Sequence, residues 1–348
     1  MSLALVTGAP GWLGTRLVQV LVDGLPESPH VAHDPQRRVR CLVLPSADTK
    51  ALPSGPRVET ATGDVSQAES LAALFDGAKG ATVFHSAGVI HPSKGVKELY
   101  RVNVEGTRNM LAAARAAGVR RFIHVSSNSP IGCNPSPDHV FDESSPYNPY
   151  MHYGRSKKIA EDLVNEAGQS GELETVIIRP PWFYGPNQPA RQGLFFTMIR
   201  TGKVPLVGGG NNRRSMAYID NICQGLLLCD QVAAAKGQTY WIADREPYSM
   251  NQIIETIEEV MKSDFGVAVA GKRMKLPGFA SSVAWLVDKT LQGMGLYHQK
   301  IHVLSEMNKT IACTVAKAER ELGYKPAVAL REGMRRSLAW MAENGQTF

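Results

Sequence analysis

The feature that most constrains this chain is Thr7-Gly8-Ala9-Pro10-Gly11-Trp12-Leu13-Gly14, set between the short apolar run Leu3–Val6 and a helical pattern beginning at Thr15. Gly8 permits a tight turn, Gly11 lets the backbone approach a pyrophosphate, and Gly14 allows close packing of a helix on a strand. The phosphates would rest on the helix N-terminus, where unpaired N–H groups and the helix dipole favour negative charge. A glycine triplet is weak evidence by itself, because glycine turns are common. Its place between a strand and a helix is the context that dinucleotide binding requires. Trp12 and Leu13, carried on the same turn, are candidate cofactor contacts.

The rest of the chain repeats the rhythm that this turn starts. Apolar runs rich in β-branched residues, Val39–Leu44, Val58–Ala61, Thr82–His85, Phe122–Val125 and Val176–Ile178, alternate with helical patterns. That alternation predicts α/β architecture: a Rossmann doubly wound parallel sheet with a smaller, mixed C-terminal substrate region. Between two of the strands, Leu99, Val102, Gly106, Met110 and Ala113 recur at spacings of three and four, which predicts a helix over Lys97–Ala117 stopped by Gly118. Prolines and glycines crowd after Arg179, so the dinucleotide-binding domain is expected over 1–179. Ala217–Ile222 and Thr239–Ile242 are expected to return to the sheet, and the substrate-binding region to comprise 180–217 and 243–348.

Composition narrows the class. A net charge of +6 is spread along the chain in short groups such as Arg213 with Arg214, with no basic stripe, which argues against a nucleic-acid partner. The five cysteines are odd in number and form no C-x-x-C pair, so neither a disulfide framework nor a metal site is expected, and a reducing cytoplasm fits. Met1–Val6 reads as a strand, not a signal peptide. Phe279–Tyr297 is too interrupted by Asp288, Lys289, Gln292 and glycines to span a bilayer.

Tyr153 and Lys157 stand four residues apart, hence on one helical face. A phenol has a reference pKa near 10 and needs help to act as a base at neutral pH. An ammonium about 6 Å away, at an effective dielectric of about 20, would lower it by about two units. Such a pair is usually plain surface. What raises its standing is the strand Phe122–Val125, which ends in Ser126-Ser127-Asn128-Ser129, because strand C-termini in open α/β sheets line the ligand crevice. Asp64, in Gly63-Asp64-Val65, would reach an adenine amino group or serve as a helix cap. The end of the second strand offers Val43, Leu44, Pro45 and Ser46, neither the acid that accepts a ribose hydroxyl nor the arginine that pairs with a 2′-phosphate. NAD and NADP both stay open there.

These motifs, with His85-Ser86-Ala87-Gly88, Asn103-Val104-Glu105-Gly106-Thr107, Arg179-Pro180-Pro181-Trp182-Phe183-Tyr184-Gly185-Pro186, Tyr218-Ile219-Asp220-Asn221 and Lys317–Tyr324, follow the order and rough spacing of the extended short-chain dehydrogenases/reductases. The chain resembles that family over nearly its whole length. The resemblance implies Tyr153 as acid-base and Lys157 as the holder of the ribose hydroxyls. It also implies Ser127, five positions before Gly132, as the group orienting the substrate oxygen, and Asn103 as a support for the lysine through water. It further implies cofactor contacts at Gly8, Gly11, Trp12, Leu13, Gly14, Asp64, Val65, Ser86, Ala87, Gly88, Lys157, Pro180 and Phe183, with NAD slightly favoured over NADP. Substrate contacts are expected at Asn128, Trp182 and Arg214, and a homodimer through Lys97–Ala117 and Met151–Ala167. His85 reads as structural.

Within the family, Asn128 and Ser129 replace the Asp-Glu pair usual in dehydratases, which argues against that activity. The helix carrying Phe279, Val283, Trp285, Leu286, Val287, Leu291 and Met294 resembles the C-terminal region of 3β-hydroxysteroid dehydrogenase-like members. It could line a greasy pocket or rest on a membrane surface, so peripheral membrane contact stays open, although an ordinary core helix is the plainer reading. The expectation is hydride transfer between a nicotinamide and a hydrophobic secondary alcohol or ketone. Arg214, which resembles a diphosphate-gripping arginine, keeps a nucleotide-sugar 4-epimerase in view. A non-catalytic dinucleotide sensor is the third reading.

Overall fold

The computed structural model describes residues 2–348; Met1, and with it the first residue of the Met1–Val6 reading, lies outside them. Six strands come first: β1 Leu3–Thr7, β2 Arg38–Val43, β3 Val58–Thr62, β4 Thr82–His85, β5 Arg121–Val125 and β6 Glu174–Arg179. With β11 (Gln238–Trp241) they form one sheet in the order β3-β2-β1-β4-β5-β6-β11, every pair parallel. The near-continuous apolar character of these strands follows from coverage on both faces. Ala4, Val6, Phe84, Ile123, Val176 and Ile178 pack with Leu17 of α1 (Trp12–Asp23) and Leu226 of α7 (Ile219–Gln231). The alternate residues Leu5, Leu42, Val83, Phe122 and Ile177 meet Met110, Leu111 and Val164 on the other side. Each such buried side chain contributes about 1.5–3 kcal/mol of transfer free energy.

The first crossovers run from β1 outward to β2 and β3, and β4 lies on the opposite side of β1. The crevice beyond the C-terminal ends of β1 and β4 is therefore the switch point of the sheet, the place where open α/β sheets bind ligands. After the short α2 (Ala72–Phe75), the helix expected over Lys97–Ala117 is present as α3 (Lys97–Leu99), a π-helical turn at Tyr100–Glu105, and α4 (Gly106–Ala116). Gly118 follows at φ +67°, the left-handed stop expected of it.

Thr239–Ile242 does return to the sheet, as β11 beside β6. Ala217–Ile222 does not. The strand β7 (Trp182–Tyr184) pairs with β10 (Met216–Tyr218) in a separate two-stranded sheet, and from Ile219 the chain is α7. Ile219, Ile222 and Leu226 recur at spacings of three and four, and a short apolar run cannot by itself distinguish that helical period from a buried strand.

The remaining elements are α5 (Met151–Gln169), α6 (Ala190–Arg200), β8 (Pro205–Val207), β9 (Arg213–Arg214), β12 (Tyr248–Ser249), α8 (Met250–Ser263), β13 (Met274–Leu276), α9 (Phe279–Gly293), α10 (Gln299–Glu306), α11 (Ala316–Leu322) and α12 (Leu330–Glu343). The helix α9 is not a core helix. It buries Ser281, Ala284, Asp288 and Gln292 and turns Phe279, Val283, Leu286 and Val287 outward. Among the described residues, no helix is long and apolar enough to cross a membrane.

Candidate active site

At the switch point Gly8 adopts φ +85°, and a Cβ there would lie 2.6 Å from Ser86 Oγ and 2.8 Å from Ala87 N. Gly11 N donates to Gly8 O at 2.8 Å, closing the turn, and a Cβ on Gly14 would lie 2.5 Å from that same carbonyl. The three glycines thus form a cradle that side chains would fill, followed at once by the N-terminus of α1, and the site fits a pyrophosphate. Leu13 is buried in the core beneath the turn. The Trp12 indole donates to Pro186 O at 2.6 Å and stands 6.2 Å from the Phe183 ring, so it ties the turn to the segment after β6.

The β4 end completes this wall. Ser86 Oγ donates to Thr7 O at 2.7 Å and Ala87 N to Thr7 Oγ1 at 3.2 Å, which holds Ser86 and Ala87 beside the glycine turn, with Gly88 next in the chain. His85 is fully buried between Thr7 and Thr107, and burial lowers its pKa to about 3, so it is a neutral structural residue. Asp64 accepts from Ser66 N at 2.8 Å in a side-chain turn, and its other oxygen is 3.7 Å from Arg101. The helix cap is Gln67, not Asp64. Val65 packs under Gly106, its carbonyl held by Asn109 at 3.0 Å.

The helix α5 aligns Tyr153, Lys157 and Glu161 along one face. Glu161, fully buried, pairs with Arg179 at 2.6 Å and accepts from Tyr147 at 2.7 Å and from Ser126 Oγ at 2.5 Å. Ser126 is therefore committed to the interior. The Ser127 hydroxyl makes long contacts of 3.3–3.4 Å with Asn128 and Ser129 and faces the Tyr153 phenol, whose pKa its hydrogen bond pulls down. Of the two serines it is the one turned toward Tyr153.

The expected lowering of Tyr153 by Lys157 is not what the protein's own groups produce. Burial pushes the Tyr153 phenol up to about 12; Ser127 pulls it down, Glu306 adds to the rise, and Arg191 opposes it. The Lys157 ammonium donates to Val125 O at 2.8 Å and lies 3.2 Å from His124 Nε2, and burial lowers its own pKa to about 8 against the pull of Glu161. The Lys157 ammonium is turned to the buried strand carbonyl, which competes with the phenol for its charge.

Asn103, on the π-helical turn, is also turned elsewhere. Its Oδ1 accepts from Val89 N at 2.8 Å, and its Nδ2 donates to Val89 O at 2.9 Å and Ser156 Oγ at 3.0 Å. It fastens the loop after β4 to α5.

Of the residues expected at the cofactor and the substrate after β6, Pro180 is buried, Trp182 and Phe183 are half-buried, and Trp182 packs edge-on to Phe195 with centroids 5.5 Å apart. Asn128 follows Ser127 on the β5 loop and is half-buried. Arg214, on β9, donates through Nη2 to the Glu306 carbonyl. Sequence reasoning missed Glu161, His124, Glu306 and Arg191. Glu161 was within reach, because it extends the Tyr153 and Lys157 spacing by one more turn. Glu306 and Arg191 are brought to Tyr153 only by the packing of α10 and α6.

The model of the NAD dependent epimerase/dehydratase family matches residues 4–243. The chain is 50% identical over 347 residues to an uncharacterized protein, y4nL, of Sinorhizobium fredii (strain NBRC 101917 / NGR234), covering 99% of this chain and 97% of that one. It is 31% identical over 365 residues to a 3-beta-hydroxysteroid dehydrogenase of Mycolicibacterium neoaurum, covering 97% of this chain and 91% of that one. Among solved structures, a UDP-glucuronic acid 4-epimerase from Bacillus cereus in complex with NAD superposes with a TM-score of 0.73 at 21% identity, covering 98% of this chain and 99% of that one, a likeness of fold. With the glycine cradle at the switch point and a family model spanning the sheet, the chain belongs to the NAD-dependent epimerase/dehydratase family and is an enzyme of the extended short-chain dehydrogenase/reductase type.

Proposed function

We propose that the protein is an oxidoreductase that moves a hydride between a nicotinamide dinucleotide and a hydrophobic secondary alcohol or ketone. The observation that carries this reading is the aromatic group Trp182, Phe183 and Phe195, with Trp182 packed edge-on to Phe195; Arg214 gives one nitrogen to the Glu306 carbonyl, and its buried Nε has no hydrogen-bond partner among the described residues. The likeness to a 3-beta-hydroxysteroid dehydrogenase over nearly the full length supports it. Gly8, Gly11, Gly14, Ser86, Ala87 and Lys157 would hold the cofactor, which supplies or accepts the hydride when bound. NAD is favoured over NADP by the likeness in fold to a UDP-glucuronic acid 4-epimerase solved in complex with NAD.

Tyr153 would pass a proton to the carbonyl oxygen in reduction and take it back in oxidation, with Ser127 donating to the same oxygen. Burial pushes the Tyr153 phenol up to about 12, so the protein's own groups hold it protonated at neutral pH, the form that gives up a proton in reduction. Two copies would pair through the helix of residues 97–116 and α5.

The test is turnover with sterol-like alcohols and ketones, followed by the absorbance of the reduced nicotinamide. A stoichiometric change in cofactor with product supports the proposal. Conversion of a UDP-sugar with no net cofactor change would establish the 4-epimerase in its place. Full function in Tyr153→Phe, with function lost when cofactor binding is lost, would establish a sensor.

A further inference from the structure

The helix α9 is inverted relative to an ordinary surface helix. Its inward positions are largely polar: Ser281 donates to Leu304 O, and Asp288 holds His302 at 2.8 Å and Gln292 at 2.9 Å. Its outward positions Phe279, Val283, Leu286 and Val287 follow a helical spacing, and Met294 and Leu296 continue the patch beyond its end. Phe279 is 68% exposed, Leu286 60% and Met294 63%. Nine of the fifteen large apolar side chains exposed among the described residues fall within 274–303, so this is one patch and not the scatter that any surface carries.

The charge around the patch is mainly positive. Over 267–309 stand six Lys and Arg residues, of which Arg273 is paired with Glu258, against two carboxylates, Asp288 and Glu306. Asp288 is buried and Glu306 half-buried, whereas Lys272, Lys275, Lys289 and Lys300 are exposed. Lys289 also lies 4.9 Å from the centre of the Trp285 ring, an aromatic and cation pair of the kind favoured at a lipid headgroup boundary.

We propose that the outer face of α9, with the turn that follows it, docks on an anionic phospholipid bilayer surface. Apolar side chains at helical spacing would enter the headgroup boundary while the surrounding lysines meet lipid phosphates. A second copy is the poorer occupant: a two-fold interface sets a patch against itself, and here it would bring like charges together across the contact. The proposal holds for any substrate the site takes.

The test is cosedimentation of the full chain with vesicles of phosphatidylcholine alone and of phosphatidylcholine with about one third phosphatidylglycerol. Binding is expected to the anionic vesicles, to weaken as salt rises, and to fall at least about tenfold in the Val283→Glu, Leu286→Glu double variant. Both positions are exposed, so the variant should keep the circular dichroism and melting of the parent. No binding to the anionic vesicles, equal binding to both kinds, or an unchanged double variant would overturn the proposal. So would a dimer that the double variant abolishes in a protein that ignores vesicles, which would assign the face to self-association.

Discussion

At the scale of single residues, the site rests on a few atoms with no freedom to change. Tyr153→Phe removes the one phenol beside Ser127. It should lower kcat by about 10²–10⁴-fold while leaving the dissociation constant for NAD within about a factor of two; steady-state rates and cofactor titration read both, and an unchanged kcat would remove Tyr153 from the chemistry. Gly8 is constrained twice, by φ +85° and by the approach of Ser86 and Ala87 to within 2.8 Å. Gly8→Ala should weaken NAD binding by about tenfold or more, because turn and β4 loop must separate to admit a methyl. Titration with the reduced cofactor, read by its fluorescence, checks it. The glycine turn was legible in the sequence because its constraint is local. The pKa of Tyr153 was not, since it depends on where the Lys157 ammonium finds its best acceptor, and that acceptor is the Val125 carbonyl on another element.

At the scale of elements, α5 does more than present a tyrosine. One face carries Tyr153, Lys157 and Glu161, and the Glu161 pair with Arg179 clamps α5 to β6 in the protein interior. Glu161→Gln leaves the Arg179 guanidinium buried without a counter-charge, so it should cost about 3–5 kcal/mol of stability in denaturant unfolding. It also removes the group that supports the Lys157 cation, so the lysine's pKa should fall below its present value of about 8. The double variant Glu161→Gln, Arg179→Met should recover part of the stability, and a double variant as unstable as the single would show that the charge is not what matters. Strands β1 to β6 were readable because parallel strands covered on both faces are apolar runs. The stretch 217–222 was misread because, over so few residues, a helix and a buried strand carry the same letters.

At the scale of the whole molecule, the α9–α10 hairpin packs against the start of α5, through Tyr150 on Ser305 and His152 on Gln292, and carries a pH-dependent contact. Burial alone would lower the pKa of His302, but its hydrogen bond to Asp288 and the nearby Glu306 outweigh that and raise it. A histidine raised in the folded state stabilises fully below its unfolded value near 6.5, and that contribution is lost as pH rises through the folded value. Melting temperature should therefore decline on the alkaline side of about pH 6.5, and His302→Gln should flatten the decline. Parallel profiles for the two proteins would rule the histidine out as its source. The sequence by itself determined the strands of the sheet and the phosphate turn, because each depends on periodicity or spacing within a short stretch, and it offered Tyr153, Ser127 and Lys157 as candidates through a family resemblance. The surroundings of the side chains were decided only by tertiary structure: Glu306 and Arg191 around Tyr153, Val89 for Asn103, the Glu306 carbonyl beside Arg214, and the outward face of α9. Each of these joins residues far apart in the chain, and such contacts follow from packing, which spacing does not encode.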